Sequence, residues 1–157
     1  MKKICFTGHR NIKITPEIKF KLSEVIENFI KKGVEDFYAG GAIGWDMLCE
    51  TTVLKLKKNY PQIKLYLILP CPPEQQTKGW SDSNKIIYNN ILSSADSEIC
   101  SLSYYNGCMA KRNQRLVDLS DICICYCKNF RSGSGQTIRM AEKKGLEIIN
   151  LADYTKQ

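Results

Sequence analysis

Short apolar segments alternate with amphipathic ones along the whole chain, and this alternation restricts the possible folds more than any other feature. Between the apolar segments, apolar residues recur at the three- and four-residue spacing of a helix face. Such an alternation is typical of a parallel sheet with helices packed on both faces. The sequence therefore predicts an α/β fold, a Rossmann-like three-layer sandwich with a mainly parallel sheet. The segments that suit strands are residues 4–7, 37–39, 63–69, 98–102, 122–126 and 147–151.

Capping and helix-breaking residues mark the ends of the predicted helices. Thr15 suits an N-cap, Pro16 suits the first helical position and Gly33 suits the end of that helix. The proline-rich, polar residues 70–80 predict the longest loop of the chain. The remaining helices are predicted from residue 45 to before Pro61, from 82 or 83 through 91, over 109–119 and over 136–144, the last ending at Gly145.

The chain has 157 residues, of which 43% are hydrophobic, and this suits one sizeable core. We therefore expect a single domain over residues 1–157. No apolar segment approaches the roughly 20 residues of a membrane span. The first six residues lead into a turn and not into the apolar core of a signal peptide. These features predict a cytoplasmic protein with no membrane partner.

Eight cysteines lie mainly inside apolar segments and not in loops. Cys123, Cys125 and Cys127 alternate along a predicted strand, so their sulfur atoms point to one face of the sheet. Zinc sites commonly space their ligands as C-x-x-C, and the sequence has no such pair and only one histidine. We therefore expect buried free thiols and no metal site.

The formal net charge is +7, from 23 basic and 16 acidic residues. Lysine pairs stand near predicted helix ends, where cations interact favourably with the helix dipole: Lys31-Lys32, Lys57-Lys58 and Lys143-Lys144. This dispersed arrangement favours solvated helix ends over nucleic-acid binding, so we do not expect a nucleic-acid partner. The excess charge remains compatible with a small anionic ligand.

Three strand-to-helix turns have an unusual composition, at the edge where open α/β sheets bind ligands. Their glycines allow the backbone to come close to a ligand, and helix-start amides attract negative charge. The turns therefore predict a site for phosphate or another anion. The candidate binding residues within them are Gly8, His9 and Arg10, then Gly40, Gly41, Ala42, Gly44 and Asp46, and finally Ser134, Gly135 and Thr137.

His9 and Arg10 follow the first strand directly. His9 is a candidate for a ligand hydrogen bond or proton transfer, or alternatively for stabilising the turn. Arg10 is the stronger candidate for anion contact, because its guanidinium can grip a phosphate or carboxylate through two N–H groups.

Asp46 and three side chains outside these turns are further candidates. Asp46 either shapes its loop and caps a helix, or accepts a hydrogen bond from a ligand hydroxyl. Arg112 and Asn113 share a helix from which both can face the cleft. Trp80 either stacks on a base and closes the site, or plugs the loop that carries it.

Neither standard nucleotide fingerprint is present. The first turn lacks G-x-G-x-x-G, no acidic residue ends the second strand, and no G-x-x-x-x-G-K-[ST] occurs. We therefore do not expect an NAD dehydrogenase or a P-loop ATPase.

These motifs resemble, in their order, the YpsA-like family of the SLOG superfamily, which also includes DprA and the LOG-type nucleoside-phosphate hydrolases. The resemblance covers nearly the whole chain. It implies a Rossmann-like fold whose Gly-rich loops form a pocket for nucleotides or nucleotide-derived ligands, often in a sensing role. In the last turn Gln136 stands where family members often have a second glycine. The matching residues are Thr7-Gly8-His9-Arg10, Gly40-Gly41-Ala42-x-Gly44-x-Asp46, Pro70 with Glu74-Gln75 and Trp80, Arg112-Asn113, and Gly135-Gln136-Thr137.

Three functions follow as hypotheses. The first is a sensor or regulatory module that binds a nucleotide-like small molecule, without a certain cofactor, and it is compatible with a homo-oligomer or a protein partner. The second is an N-glycosidic hydrolase of a nucleoside phosphate or NAD-like compound, although the LOG-type signature is absent. The third is single-stranded DNA binding. A hydrolase needs a carboxylate. The first candidates are Asp46 and Glu74, and Glu50 and Asp118 are further candidates.

Overall fold

Six strands and six helices follow one another in the computed structural model, which describes residues 1–152. The predicted single domain extends to residue 157, and its last five residues lie outside the described part. The elements are β1 (Lys3–Gly8), α1 (Pro16–Lys31), β2 (Asp36–Ala39), α2 (Trp45–Lys57), β3 (Lys64–Leu69), α3 (Pro73–Gln76), α4 (Asp82–Ser93), β4 (Asp96–Ile99), α5 (Cys108–Asp118), β5 (Ile122–Tyr126), α6 (Gly133–Lys144) and β6 (Glu147–Asn150).

All six strands are parallel, in the order β4-β3-β2-β1-β5-β6. β1 lies in the middle, where Cys5 is in register with Tyr38 on one side and with Cys123 on the other. The predicted α/β fold with a Rossmann-like parallel sheet is confirmed.

Two apolar clusters cover the two faces of the sheet, because alternate residues of a strand point in opposite directions. One cluster joins the strand residues Phe6 and Phe37, whose rings stack at 6.1 Å, to α1, α2 and α4. The other joins Cys5, Cys123 and Cys125 to α5 and α6. The three layers place the starts of α2 and α6 on opposite sides of β1.

The predicted helix signals act as expected at α1 and α6. The Thr15 hydroxyl accepts a hydrogen bond from the Ile18 amide at 3.2 Å, and Pro16 is the first helical residue. Gly145 follows α6 in the left-handed conformation at φ 90°.

Several predicted boundaries differ from the observed ones. The loop predicted over residues 70–80 contains the short helix α3, because Pro73 fits a first helical position. Strand β4 spans Asp96–Ile99, so it begins two residues before and ends three residues before the predicted strand over residues 98–102. Helix α6 begins at Gly133 and not at Gln136, because the Ser132 hydroxyl caps it by accepting from the Gly135 amide at 3.2 Å. First-turn amides have no partner inside the helix, so glycines are tolerated there.

All eight cysteines are free thiols, and every one except Cys100 is buried. Cys123, Cys125 and Cys127 point to the same face, as the alternation predicted. Within residues 1–152, no helix is both long enough and apolar enough to cross a bilayer.

Candidate functional site

A cleft of about 330 Å³ opens at the carboxyl ends of β1 and β5. The chain moves outward from β1 through β2, β3 and β4, then returns to place β5 on the other side of β1. The helices that follow such neighbouring strands lie on opposite faces, and the crevice between them is where open α/β sheets bind ligands. The walls come from the end of β1, the loop before α2, helix α5 and the first turn of α6.

The cleft brings together most of the predicted binding residues. Gly8, His9, Arg10, Ala42, Asp46, Arg112, Asn113 and Ser134 line it. The other predicted residues lie outside its walls: Gly40, Gly41, Gly44, Trp80, Gly135 and Thr137. Most of these shape the loops that carry the lining residues.

Gly44 and Gly135 each allow a close approach between two backbone segments. Gly44 has φ 79°, and a Cβ there would overlap the backbone carbonyl of Arg10. A Cβ on Gly135 would overlap the backbone carbonyl of Phe130. The Thr137 hydroxyl donates to a carbonyl of its own helix at 3.0 Å. These residues fix the loops around the cleft and are not part of its surface.

Gly8 lines the cleft and also makes room for Trp45. A Cβ on Gly8 would overlap the indole ring, which is fully buried. The indole N–H donates to the Ile124 carbonyl oxygen at 3.4 Å. Trp45 therefore ties the start of α2 to β5 directly beneath the turn that follows β1.

His9 joins the turn after β1 to the loop after β5. Its Nε2 accepts the amide N–H of Lys128 at 2.8 Å and that of Asn129 at 3.2 Å. Its Nδ1 lies 3.1 Å from the Ser134 hydroxyl oxygen. An imidazole that accepts at Nε2 carries its proton on Nδ1, so Nδ1 donates to Ser134. Both ring nitrogens thus have partners within the protein, which favours the turn-stabilising interpretation of His9.

Arg112 places a guanidinium on the floor of the cleft, where the residue is only 5% exposed. Its Nη1 donates to the carbonyl oxygen of Gly40, and its Nε donates to Oδ1 of Asn113 at 2.8 Å. Among the described residues, the hydrogen-bond acceptor of its Nη2 is the Met109 sulfur at 3.6 Å, which is a weak acceptor. No carboxylate among residues 1–152 forms an ion pair with it. Burial lowers the pKa of Arg112, and the nearby Asp46 carboxyl opposes that shift.

Two buried carboxyls on α2 lie behind the glycine loop. Asp46 accepts the Ala42 amide at 3.3 Å, and Glu50 accepts the Gly41 amide at 3.0 Å. Burial raises the pKa of Asp46, although Arg112 opposes this, and burial together with Asp46 raises the pKa of Glu50 well above its usual value. Asp46 thus shapes the loop, which is one of its two predicted roles, and it also faces the cleft.

The first turn of α6 presents amide groups to the cleft. Ser132, Gly133 and Ser134 line it, and Ser132 caps the helix. Among residues 1–152, the amides of Gly133 and Ser134 have no acceptor. A helix start with unpaired amides attracts anions. Gln136 is exposed on the helix and does not line the cleft.

Gln76 is a buried residue near the cleft that was not among the predicted site residues. Its Nε2 donates to the Gly40 carbonyl oxygen at 3.0 Å, and its Oε1 accepts the Tyr88 hydroxyl at 2.9 Å. Burial raises the pKa of Tyr88. Only the tertiary fold brings this pair to Gly40, and the sole sequence signal was the polar residues inside a proline-rich segment.

Three candidates lie away from the cleft. Trp80 packs at right angles against Tyr88, with ring centroids 5.4 Å apart. Glu74 is exposed on α3. Asp118 is exposed at the end of α5, where it accepts a hydrogen bond from Gln114 at 2.9 Å. The carboxylates that the fold brings to the cleft region are therefore Asp46 and, behind it, Glu50. Within the described residues, no three His, Cys, Asp or Glu side chains are grouped to hold a metal ion.

Comparison with known proteins relates the chain to one family. The family model described as the YspA SLOG family matches residues 4–151. A UPF0398 protein of Bacillus thuringiensis (strain Al Hakam) is 28% identical over 166 residues, covering 98% of this chain and 89% of the relative.

Two solved structures have a similar fold. DNA processing protein A from Helicobacter pylori, whose structure concerns its single-stranded DNA binding mode, matches 94% of this chain with a TM-score of 0.66 and 22% identity. DprA from Streptococcus pneumoniae matches 94% with a TM-score of 0.68 and 17% identity. This chain spans 63% and 49% of those two chains.

Proposed function

The chain belongs to the YspA SLOG family, as its motifs predicted, and we propose that its cleft binds a nucleotide or another nucleotide-derived, phosphate-bearing small ligand. The cleft volume of about 330 Å³ lies within the usual range for small-molecule sites. We further propose that this binding serves a sensing or regulatory role.

The buried guanidinium of Arg112 is the observation that carries this proposal. A buried charge is costly unless a counter-charge accompanies it, and Arg112 has neutral hydrogen-bond partners. Its Nη2 retains donor capacity at the floor of the cleft. Asp46 lies near Arg112 but forms no ion pair with it. A ligand anion would place a counter-charge in direct contact with the guanidinium, which can hold phosphate through two parallel hydrogen bonds.

Two further groups support an anionic ligand. Gly133 and Ser134, whose amides are unpaired among residues 1–152, also line the cleft, at the positive end of α6. Arg10 is exposed and also lines the cleft. These groups support a phosphate that accepts hydrogen bonds from Arg112 and from the start of α6, with Arg10 as a further positive charge at the cleft.

Mass spectrometry of small molecules released from freshly purified protein tests the proposal without prior choice of ligand. We expect a nucleotide-like compound among them. A thermal-shift panel of nucleotides should then identify one stabilising class, with the stabilisation lost in Arg10→Ala. A broad panel without any shift, together with no released compound, contradicts the proposal.

The Asp46 carboxyl favours N-glycosidic hydrolysis as a second candidate. Asp46 faces the cleft and has a raised pKa, a property that suits a general acid or base. Chromatography of nucleoside monophosphates and dinucleotides after incubation should then show free base. Asp46→Asn should abolish that release and leave the melting temperature close to that of the wild type. No base release from either class removes this candidate.

Single-stranded DNA binding is a third candidate, because the Helicobacter pylori neighbour is described by its single-stranded DNA binding mode. The formal charge of +7 is compatible with it. Phosphate contacts would give an affinity that falls steeply with salt concentration. Oligonucleotide titrations at several salt concentrations test this, and micromolar protein that does not bind at low salt excludes it.

A further inference from the structure

Asp46 and Glu50 form a pair of buried carboxyls one helical turn apart on α2. Their residues are 6% and 1% exposed, and each accepts one amide from the glycine loop. Neither forms an ion pair with a residue in the range 1–152. Two carboxylates without direct counter-ions repel each other in a buried position, so the first proton that the pair binds relieves this repulsion.

The charged and titratable groups that face this pair come from four elements. Arg112 approaches from α5 and Arg10 from the loop after β1, and both favour the ionised form of Asp46. Cys49 on α2 and Tyr88 on α4 also face the pair, and the pKa of each is raised, so both are uncharged. The positive charge of the two arginines therefore opposes protonation of the pair.

We propose that binding of an anion at Arg112 is coupled to the uptake of a proton by the Asp46–Glu50 pair. This inference rests on the proposed function and adds a form of regulation to the same site. A bound anion offsets the positive charge that keeps Asp46 ionised, and it brings a further negative charge to the buried pair. The pair then responds by taking a proton, which removes the repulsion.

The direction of the pH effect follows from linkage. Anion binding raises the pKa of the pair. At pH values between the pKa of the free state and that of the bound state, the bound state therefore holds more protons. Affinity therefore increases as the pH falls through that window. The limit for one coupled proton is about a tenfold change in Kd per pH unit. Burial already raises the pKa values of both carboxyls, which brings the window towards neutral pH.

Sulfate is the suitable probe, because it keeps its double charge from about pH 5 to about pH 9, so a change of affinity over this range does not come from the ligand. Sulfate Kd values are measured by calorimetry across that range, in buffers of different ionisation enthalpy, which give the number of protons taken up. We expect tighter binding at lower pH and up to one proton taken up per sulfate. The Asp46→Asn/Glu50→Gln variant, which keeps the shape of both side chains, should bind sulfate without this proton uptake.

If the double variant does not fold, Glu50→Gln serves in its place. Loss of the like-charged neighbour should move the pH window to lower pH. If the sulfate affinity of the wild type does not change with pH, the coupling is wrong and the anion site remains. The same conclusion follows if the variants show the same pH dependence of sulfate affinity as the wild type. Sulfate that does not bind at any pH overturns the inference itself, whereas the proposed function fails only if nucleotides also do not bind.

Discussion

The guanidinium of Arg112 donates a hydrogen bond to the carbonyl oxygen of Gly40, so helix α5 and the glycine loop after β2 meet at the floor of one cleft. Gln76 donates to the same oxygen at 3.0 Å. A Cβ on Gly40 would overlap the guanidinium, so only glycine permits this approach. The glycine loop therefore positions a buried cation, in addition to any contact its amides make with a ligand.

Arg112→Met should weaken binding of a phosphate-bearing ligand by about 10- to 100-fold, the equivalent of one charged hydrogen bond. The free energy of unfolding should change by no more than about 2 kcal/mol, because Gly40 keeps its bond from Gln76 and a buried charge is removed. Arg115→Met is the matched control, since Arg115 is exposed on the same helix and pairs with Glu98. Equal affinities of the two variants in calorimetry would exclude Arg112 as the anion contact.

His9→Ala should lower the free energy of unfolding by about 1–2 kcal/mol, because two loop amides lose their acceptor. Hydrogen exchange measured by NMR should become faster at the amides of Lys128 and Asn129. Ser134→Ala is the comparison, as it removes only the partner of Nδ1. Unchanged exchange at both amides in His9→Ala would rule out a loop-holding role and return His9 to the candidates for ligand contact or proton transfer.

Gly8→Ala should destabilise the fold by about 1–3 kcal/mol, because the added methyl group overlaps Trp45 in a packed core. Gly133→Ala is the matched control, since a Cβ there meets no atom within 4 Å. Its free energy of unfolding should stay near that of the wild type. Urea unfolding measures the free energy of unfolding of both variants. Equal values would show that the turn after β1 accommodates the added methyl group without loss of stability.

Glu50→Gln should become more stable than the wild type as the pH rises. Above the ordinary Glu pKa of 4.5, the unfolded chain releases its proton while folded Glu50 retains it, since its folded pKa is raised. The stability contributed by Glu50 therefore falls with rising pH up to the folded pKa, by at most about 1.4 kcal/mol per pH unit.

Urea unfolding across that pH range measures the difference, and Glu98→Gln provides a control of opposite sign. Arg115 lowers the pKa of Glu98, so Glu98 contributes stability that is lost as the pH falls. Glu98→Gln should therefore be less stable than the wild type at neutral pH and approach it in acid. A Glu50→Gln advantage that does not change with pH would contradict a raised pKa for Glu50.

Local chemistry made much of the fold predictable. Thr15 and Pro16 fix the start of α1 through the backbone groups of that helix alone. The position of the cleft was also predictable, because the carboxyl ends of parallel strands meet at one edge. Eight of the fourteen predicted binding residues line it.

What the sequence did not reveal depends on contacts between distant segments. Gln76 reaches Gly40, 36 positions earlier, only after β2 and β3 pair. The aromatic ring of Trp80 suits both stacking on a base and packing, and only the fold shows it against Tyr88. Gly133 begins a helix although glycine disfavours helix interiors, since the cap at Ser132 outweighs propensity in a first turn.

The central claim is tested most directly by calorimetry that compares how the protein binds nucleotides and their parent nucleosides, because the two kinds of compound differ only in phosphate. The cleft should bind at least one nucleotide class, with affinity lost in Arg112→Met, and should not measurably bind the corresponding nucleoside. Equal binding of nucleotide and nucleoside, or the absence of binding for every nucleotide tried, would contradict the account of Arg112 and α6 as an anion site.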